Sequence, residues 1–169
     1  MISRNMTEAL NKHLNNEFYS AYLYLGMSAK CQAMGLKGAA NWFMAQYNEE
    51  TDHAMRFYNY ILDQGEEVEL YDIKRTEIKE ETLKELFEKT LEHERIVTQY
   101  INELMDLAMQ EKDHATMAFL QWFVTEQIEE ESTVADILDQ LKLVENSGNG
   151  LFMIDRELGQ RQFAANENE

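Results

Sequence analysis

Glu49-Glu50-Thr51-Asp52-His53-Ala54-Met55-Arg56-Phe57 is the passage that decides how this chain folds. Around it Phe43, Tyr47, His53/Ala54, Phe57 and Ile61 recur every three or four residues, the spacing of one apolar face on an α-helix. Glu50 falls within that face, and His53 follows it one turn later. Two polar groups able to bind metal are therefore placed where a core should be. An ionised carboxylate buried without a partner costs several kcal/mol, so the rest of the chain must supply a compensating charge.

Working outward, the helix that holds this passage runs over about 37–64 and stops at Gly65, a residue suited to the left-handed position after a helix. The Gly35–Gly38 region turns the chain ahead of it. A first helix spans about 6–32, with Asn5 and Glu8 placed as a capping box. Its inward stripe reads Met6, Leu10, Leu14, Ala21, Leu25 and Ser28, with Glu17 and Tyr24 on the same side. A third spans about 82–110, opened by a Thr82/Glu85 capping box, with Leu83, Phe87, Thr90, Val97, Ile101, Leu104 and Ala108 inward and Glu94 among them. A fourth spans about 113–145 with Asp113 as its cap. Its stripe of Thr116, Leu120, Phe123, Val134, Ile137 and Leu141 is interrupted by Gln127 and Glu130. No Gly or Pro marks the break between the third and fourth. A short fifth helix, about 151–160, carries Leu151, Ile154 and Leu158 on one face. The absence of proline and the presence of only seven glycines leave little to interrupt such helices.

A helix of roughly 28 residues is about 42 Å long. Three connections are short and make antiparallel neighbours. The segment from Gly65 to Glu81 could reach about 55 Å when extended, enough to carry the chain back along the whole bundle. The expectation is an all-α, four-helix bundle with one long crossover and a short fifth C-terminal helix, with residues 1–169 forming one domain.

Each long helix thus puts one glutamate inward: Glu17, Glu50, Glu94 and Glu130. Each lies roughly 11 to 17 residues from its helix start, and antiparallel packing preserves that height, so the four should meet at one level. Arginine or lysine, protons or metal could compensate them. Arg4, Arg56, Arg75, Arg95, Arg156 and Arg161 all fall off the stripes. Divalent metal is the simplest partner for four Glu and one His in a bundle core. A lone inward Glu more often snorkels to solvent, and Glu-x-x-His alone recurs by chance. The coincidence on four helices is what carries the reading. Glu49, Glu126, Glu129 and Glu130, with Glu131 beside them, form a second acidic group, for which an ordinary solvated face is the competing explanation. His13, His93 and His114 belong to no such constellation and are expected at the surface, and Cys31 is expected to be buried.

The 32 acidic against 15 basic residues give a net charge of −17. That balance argues against nucleic acid or an anionic membrane as partner and is compatible with attracting cations. One cysteine permits no intrachain disulfide. No apolar run reaches the roughly 18 residues of a membrane span, and the N-terminal residues lead into polar helical sequence with no apolar leader. A cytoplasmic setting is expected.

At this point the chain resembles the bacterial and archaeal non-haem ferritins. The likeness covers essentially the whole length. It is carried by Asn16-Glu17-Phe18-Tyr19-Ser20-Ala21-Tyr22-Leu23-Tyr24, Glu49-Glu50-Thr51-Asp52-His53-Ala54, Glu92-His93-Glu94, Phe119-Leu120-Gln121-Trp122-Phe123 and Glu126-Gln127-Ile128-Glu129-Glu130-Glu131. The resemblance implies one iron held by Glu17, Glu50 and His53 and a second by Glu50, Glu94 and Glu130, with Glu50 bridging. Gln127 takes the position of a nearby hydrogen-bonding residue. Glu49, Glu126, Glu129 and Glu130 take that of a third iron site. Tyr24 matches the tyrosine that donates an electron or a hydrogen bond beside the centre. It further implies ferroxidase activity with ferrous iron and dioxygen as substrates, and a hollow shell of 24 subunits around a ferric oxide mineral. The fifth helix is then expected to cover its apolar face against symmetry mates at the fourfold axes.

The departures are informative. Bacterioferritins carry a second Glu-x-x-His on the fourth helix, where this chain reads Gln127-Ile128-Glu129-Glu130. Their haem-ligating methionine aligns with Thr51, so no haem is expected. Rubrerythrins add Cys-x-x-Cys pairs that are missing here, and mini-ferritins lack the fifth helix. Two other functions compete with storage: a small di-iron oxidase or peroxidase acting on something other than iron, and a metal-free helical interaction protein. Iron loading separates the first, and metal content the second.

Overall fold

A computed structural model describes residues 2–145 and 147–163. Within them the chain forms α1 (Arg4–Ala33), α2 (Lys37–Asp63), α3 (Leu83–Glu111), α4 (His114–Leu143) and α5 (Gly148–Leu158). α1 packs along α2 and α3 along α4, as two hairpins that together make the four-helix bundle. One end of the bundle gathers the start of α1 with the end of α3, through Ser3 Oγ donating to Glu111 at 2.6 Å. The same end brings the end of α2 to the start of α4, where Tyr60 and Thr116 share a 2.8 Å hydrogen bond.

The crossover after Gly65 does travel the bundle length. Gly65 itself has φ 76°, the left-handed conformation a helix stop needs and a Cβ resists. The strap then runs beside α1 in the same direction. Asn11 donates to the Glu67 carbonyl at 3.0 Å and accepts from the Glu69 amide at 2.7 Å. One turn later Asn15 repeats the arrangement with Glu69 and Tyr71, at 2.8 and 2.7 Å. Further along, Thr76 and Ile78 lie against Gly26, and Lys30 pairs with Glu81 at 3.2 Å. Two side-chain amides thus supply donor and acceptor to a backbone that has no neighbouring strand. From Asn11 to Lys30 the path along α1 is about 28 Å.

Several local expectations need correcting. α1 starts at Arg4 and is capped by Ser3, whose Oγ accepts from the Met6 amide at 3.0 Å, so no Asn5/Glu8 box forms. Leu25 is only half-buried, and Tyr24 and Met27 fill that level of the core instead. The Thr82/Glu85 box and the Asp113 cap are present. The break between α3 and α4 is made by Lys112, which adopts φ 58° without being glycine, a strain of about 1–2 kcal/mol. That is why sequence punctuation gave no sign of it. α5 begins at Gly148 under a Ser147 cap, ahead of the expected Leu151, because the cap outweighs the poor helix propensity of Gly148 and Gly150.

α5 also covers its stripe differently from what the resemblance implies. Ile154 and Leu158 are buried within the chain's own core beside Ala39, Ala40 and Trp42. The approach to α2 is so close that a Cβ on Gly38 would stand 1.6 Å from the Asp155 carbonyl oxygen. The Asp155 carboxylate in turn accepts from the Ala39 amide at 2.8 Å, one of the orphan donors at the start of α2. Phe152 and Met153 are the large apolar side chains of α5 left exposed.

The apolar core is in two parts. One lies toward the α5 end, around Tyr24, Met27, Phe43, Phe87 and Val134. The other lies toward the Ser3 end, around Leu10, Leu14, Phe57, Ile101 and Phe123. A buried polar layer separates them.

Candidate metal centre

That layer consists of Glu17 from α1, Gln46, Glu50 and His53 from α2, Glu94 from α3, and Gln127 and Glu130 from α4, all at most 5 % exposed. Glu50 and His53 face inward because they share the face of Phe43, Phe57 and Ile61. Glu17, Glu94 and Glu130 sit on the equivalent stripes of their own helices.

Glu17, Glu50 and His53 each offer an atom within 4.8 Å of the others, a group able to hold a metal ion. His53 Nδ1 lies 3.5 Å from Glu50 Oε2 and 4.0 Å from Glu17 Oε2. Glu17 Oε2 is buried and finds no well-aligned hydrogen-bond partner among the described residues. On the far side, Tyr24 donates its hydroxyl to Glu94 Oε1, while Gln127 donates to Glu94 Oε2 at 3.2 Å. Glu130 Oε2 accepts from Gln46 at 2.7 Å. One half of the layer is thus satisfied by neutral donors, and the other half leaves a lone pair facing the histidine.

The carboxylates titrate very differently. Burial pushes Glu50 well above the usual carboxylate range, and the charges of Glu94, Glu17 and Glu130 push the same way. Burial first, then the Glu130 charge, raise Glu94 to about 8, against the opposing hydrogen bonds from Tyr24 and Gln127. Burial would raise Glu17 too, but His13 and, more weakly, His53 overcome it and bring it down to about 2. Tyr24 is held well above its ordinary value by burial and then by the Glu94 charge, so it stays a phenol. Without a cation, protons neutralise part of the layer; a cation would take their place.

Two contributors were not visible in the sequence reading. Gln46 lies one turn before Glu50, is fully buried and steadies Glu130. His13 lies one turn before Glu17 and, contrary to expectation, is buried, with Nε2 2.5 Å from Glu17 Oε1 and its ring 4.6 Å from Phe57. Neither ring nitrogen makes a well-aligned hydrogen bond, so its hold on Glu17 is chiefly electrostatic. The available signal was the i, i+4 spacing, which places each residue on the same face as its glutamate. His93 also departs from expectation: it is half-buried, bonded to Ser20 Oγ at 2.8 Å, and burial lowers it to about 4. His114 is exposed and Cys31 is buried, as expected.

The members of the second acidic group feel one another's charge, but among the described residues only Glu17, Glu50 and His53 bring ligand atoms within 4.8 Å of one another. Burial raises Glu49 to about 7, with Arg161 opposing and Glu130, Glu126 and Glu129 reinforcing the rise. Glu126 is raised by burial while the His53 charge draws it down. Glu129 is exposed. Arg161, though off every stripe, ion-pairs with Glu49 from beyond α5.

Fold and layer together define a carboxylate-rich helical bundle with the layout of a metal-handling protein. The ferritin-like domain profile matches residues 7–144, and the chain belongs to the ferritin family. It is 40 % identical over 156 residues to the bacterial non-heme ferritin of Campylobacter jejuni, covering 92 % of this chain and 93 % of that one. It is 37 % identical over 163 residues to the bacterial non-heme ferritin of Staphylococcus aureus, covering 96 % and 98 %. Among solved structures it superposes with TM-score 0.96 on a closed form of the Archaeoglobus fulgidus ferritin engineered by site-directed mutagenesis, at 44 % identity, covering 97 % of this chain and 100 % of that one. It superposes with TM-score 0.95 on the open-pore ferritin of the same archaeon, at 44 % identity, covering 96 % and 100 %. Membership of this family supports iron storage as the general role, with iron as the metal handled. Its archaeal neighbours are consistent with a homo-oligomeric shell. No described helix is long and apolar enough to cross a membrane.

Proposed function

We propose that this chain, as one domain of 169 residues, oxidises ferrous iron with dioxygen at the polar layer and stores the product as a ferric oxide mineral inside a cytoplasmic shell of 24 subunits. The observation that carries the reading is the buried group of Glu17, Glu50 and His53, with an unpartnered Glu17 oxygen facing the imidazole. Glu17, Glu50 and His53 hold one ferrous ion, and Glu50, Glu94 and Glu130 a second. Hard oxygen donors favour the ferric product, and a single imidazole suits the ferrous substrate. Each ferrous ion gives one electron to dioxygen, which with two protons leaves as hydrogen peroxide.

The protein contributes order and protons. Glu50 and Glu94 release protons as cations bind, and those protons are available to the reduced oxygen. Gln127 and Tyr24 hold Glu94 in place, and Gln46 does so for Glu130. The phenol of Tyr24 stands where it can donate a hydrogen bond or an electron. Glu49, Glu126, Glu129 and Glu130 accept a third cation, a step on the way to mineral. No haem takes part.

Replacing Glu50 or His53 by Ala should slow ferrous oxidation on the order of 100-fold, since positioning of the reacting ions is lost. Stopped-flow absorbance gives the rate, and an unchanged rate would remove the assignment. Loading with hundreds of iron atoms per shell, against only two or three per chain, separates storage from a small di-iron oxidase.

A further inference from the structure

Arg161 lies just beyond α5, and three contacts tie it to α2. Its backbone carbonyl accepts from Asn41 Nδ2 at 2.9 Å, and the same amide reaches the Gly159 carbonyl at 3.4 Å. Its guanidinium carbon stands 4.3 Å from the centre of the Trp42 ring. Its Nη2 pairs with Glu49 Oε2, with both side chains largely withdrawn from solvent, at 20 % and 25 % exposure.

The head group is incompletely satisfied. Nη1 is buried and has no hydrogen-bond partner among the described residues, where one carboxylate oxygen and one aromatic face hold a group that carries five donors. Arg161 is also the one positive group acting strongly on Glu49, against Glu130, Glu126 and Glu129. A guanidinium has no lone pair to offer a metal. A cation that takes Glu49 through both oxygens must therefore displace Arg161 from Oε2, and one that takes Oε1 alone must sit beside the guanidinium charge.

We propose that Arg161 is a displaceable resident counter-charge of the second acidic group, so that a metal cation enters there by exchange with the guanidinium. This rests on the reading above that Glu49, Glu126, Glu129 and Glu130 accept a cation. The exchange frees Arg161 from Glu49 and unstacks it from Trp42, linking occupancy of the group to the residues that follow α5. Arg161 thereby sets the concentration at which the third cation binds, without touching the pair of ions in the polar layer.

The test uses the assembled protein and Zn2+, a redox-inert probe, followed by isothermal titration calorimetry. In Arg161→Gln the weak third class tightens about 10-fold, the gain expected when a charge-assisted contact no longer has to be broken. The two tighter classes stay where they were. In Arg161→Lys, which keeps the charge but loses the planar fork, the gain is smaller. Third-class affinity within twofold of wild type in both variants overturns the proposal. Glu49→Gln separates this from the underlying reading: persistence of the third class there removes the cation site itself, whatever Arg161 does. In a Trp122→Phe background, Trp42 emission should change as the third equivalent binds and stay constant once Arg161 is Gln. Third-class binding with unchanged Trp42 emission in the arginine-containing protein also overturns it.

Discussion

Loading the metal-free polar layer with two equivalents of Zn2+ should expel protons at pH 7, about 0.9 per chain of them from Glu94. With its value raised to about 8, Glu94 retains about 0.9 of a proton at that pH. Glu50, raised well above the ordinary carboxylate range by burial, adds to that release. Glu17, held at about 2, retains none. Cations bound at the layer require the retained protons to leave. Calorimetry in buffers of differing ionisation enthalpy counts them directly. At pH 9 the Glu94 share should fall to about 0.1, because that carboxyl is then largely ionised beforehand. Release below about half a proton per chain at pH 7 would refute the argument that protons substitute for cations in this layer. The same shifts govern stability. Between 4.5 and about 8 the folded chain holds a Glu94 proton that the unfolded chain has lost, so metal-free stability falls as pH rises through that window, by on the order of 5 kcal/mol from this group. Glu17 acts in the opposite sense, contributing stability above 4.5 that is lost as pH falls toward 2.

Tyr24→Phe removes a hydrogen bond that lowers Glu94, so more protons should be released on Zn2+ binding at pH 8 than in the wild type; an equal count would contradict the assigned direction. His13→Ala removes the largest influence lowering Glu17, whose pKa should rise from about 2, as read by carbon-detected NMR titration of the metal-free protein. Gly38→Ala sets a Cβ against the Asp155 carbonyl and should dislodge α5 from α2, costing about 2–4 kcal/mol and raising hydrogen exchange at the Ala39 amide. Asn11→Ala leaves the Glu67 carbonyl and Glu69 amide unpaired, which should lower stability by about 2 kcal/mol and open the crossover to proteolysis between Glu66 and Tyr71. Unchanged cleavage there would show that Asn15 alone holds the strap.

The bundle was legible because its signals are periodic. The stripes of α3 and α4 that interrupt themselves at Glu94, Gln127 and Glu130 are buried as read, and the long Gly65–Glu81 segment does run the bundle's length. The charged layer was legible for a related reason: a glutamate among core residues violates the pattern and announces itself. What stayed hidden involves no such violation. His13 and Gln46 are polar residues next to apolar positions, and only the packing of Phe57 and Glu130 against them shows that they are inside. Lys112 carries a backbone twist that its side chain does not advertise. Arg161 reaches Glu49 across 112 residues of sequence, and no local pattern encodes such a meeting.

The division of the bundle into two hairpins has a consequence for how the chain matures. Glu17, Glu50 and His53 all belong to the first hairpin, and Glu94, Gln127 and Glu130 to the second. On the proposed reading, a nascent polypeptide that has emerged only as far as the crossover would own the donors for one cation, and those for the second only once α3 and α4 have packed against it. A cation bridged by Glu50 would, on the same reading, fasten the late-made half to the early-made one.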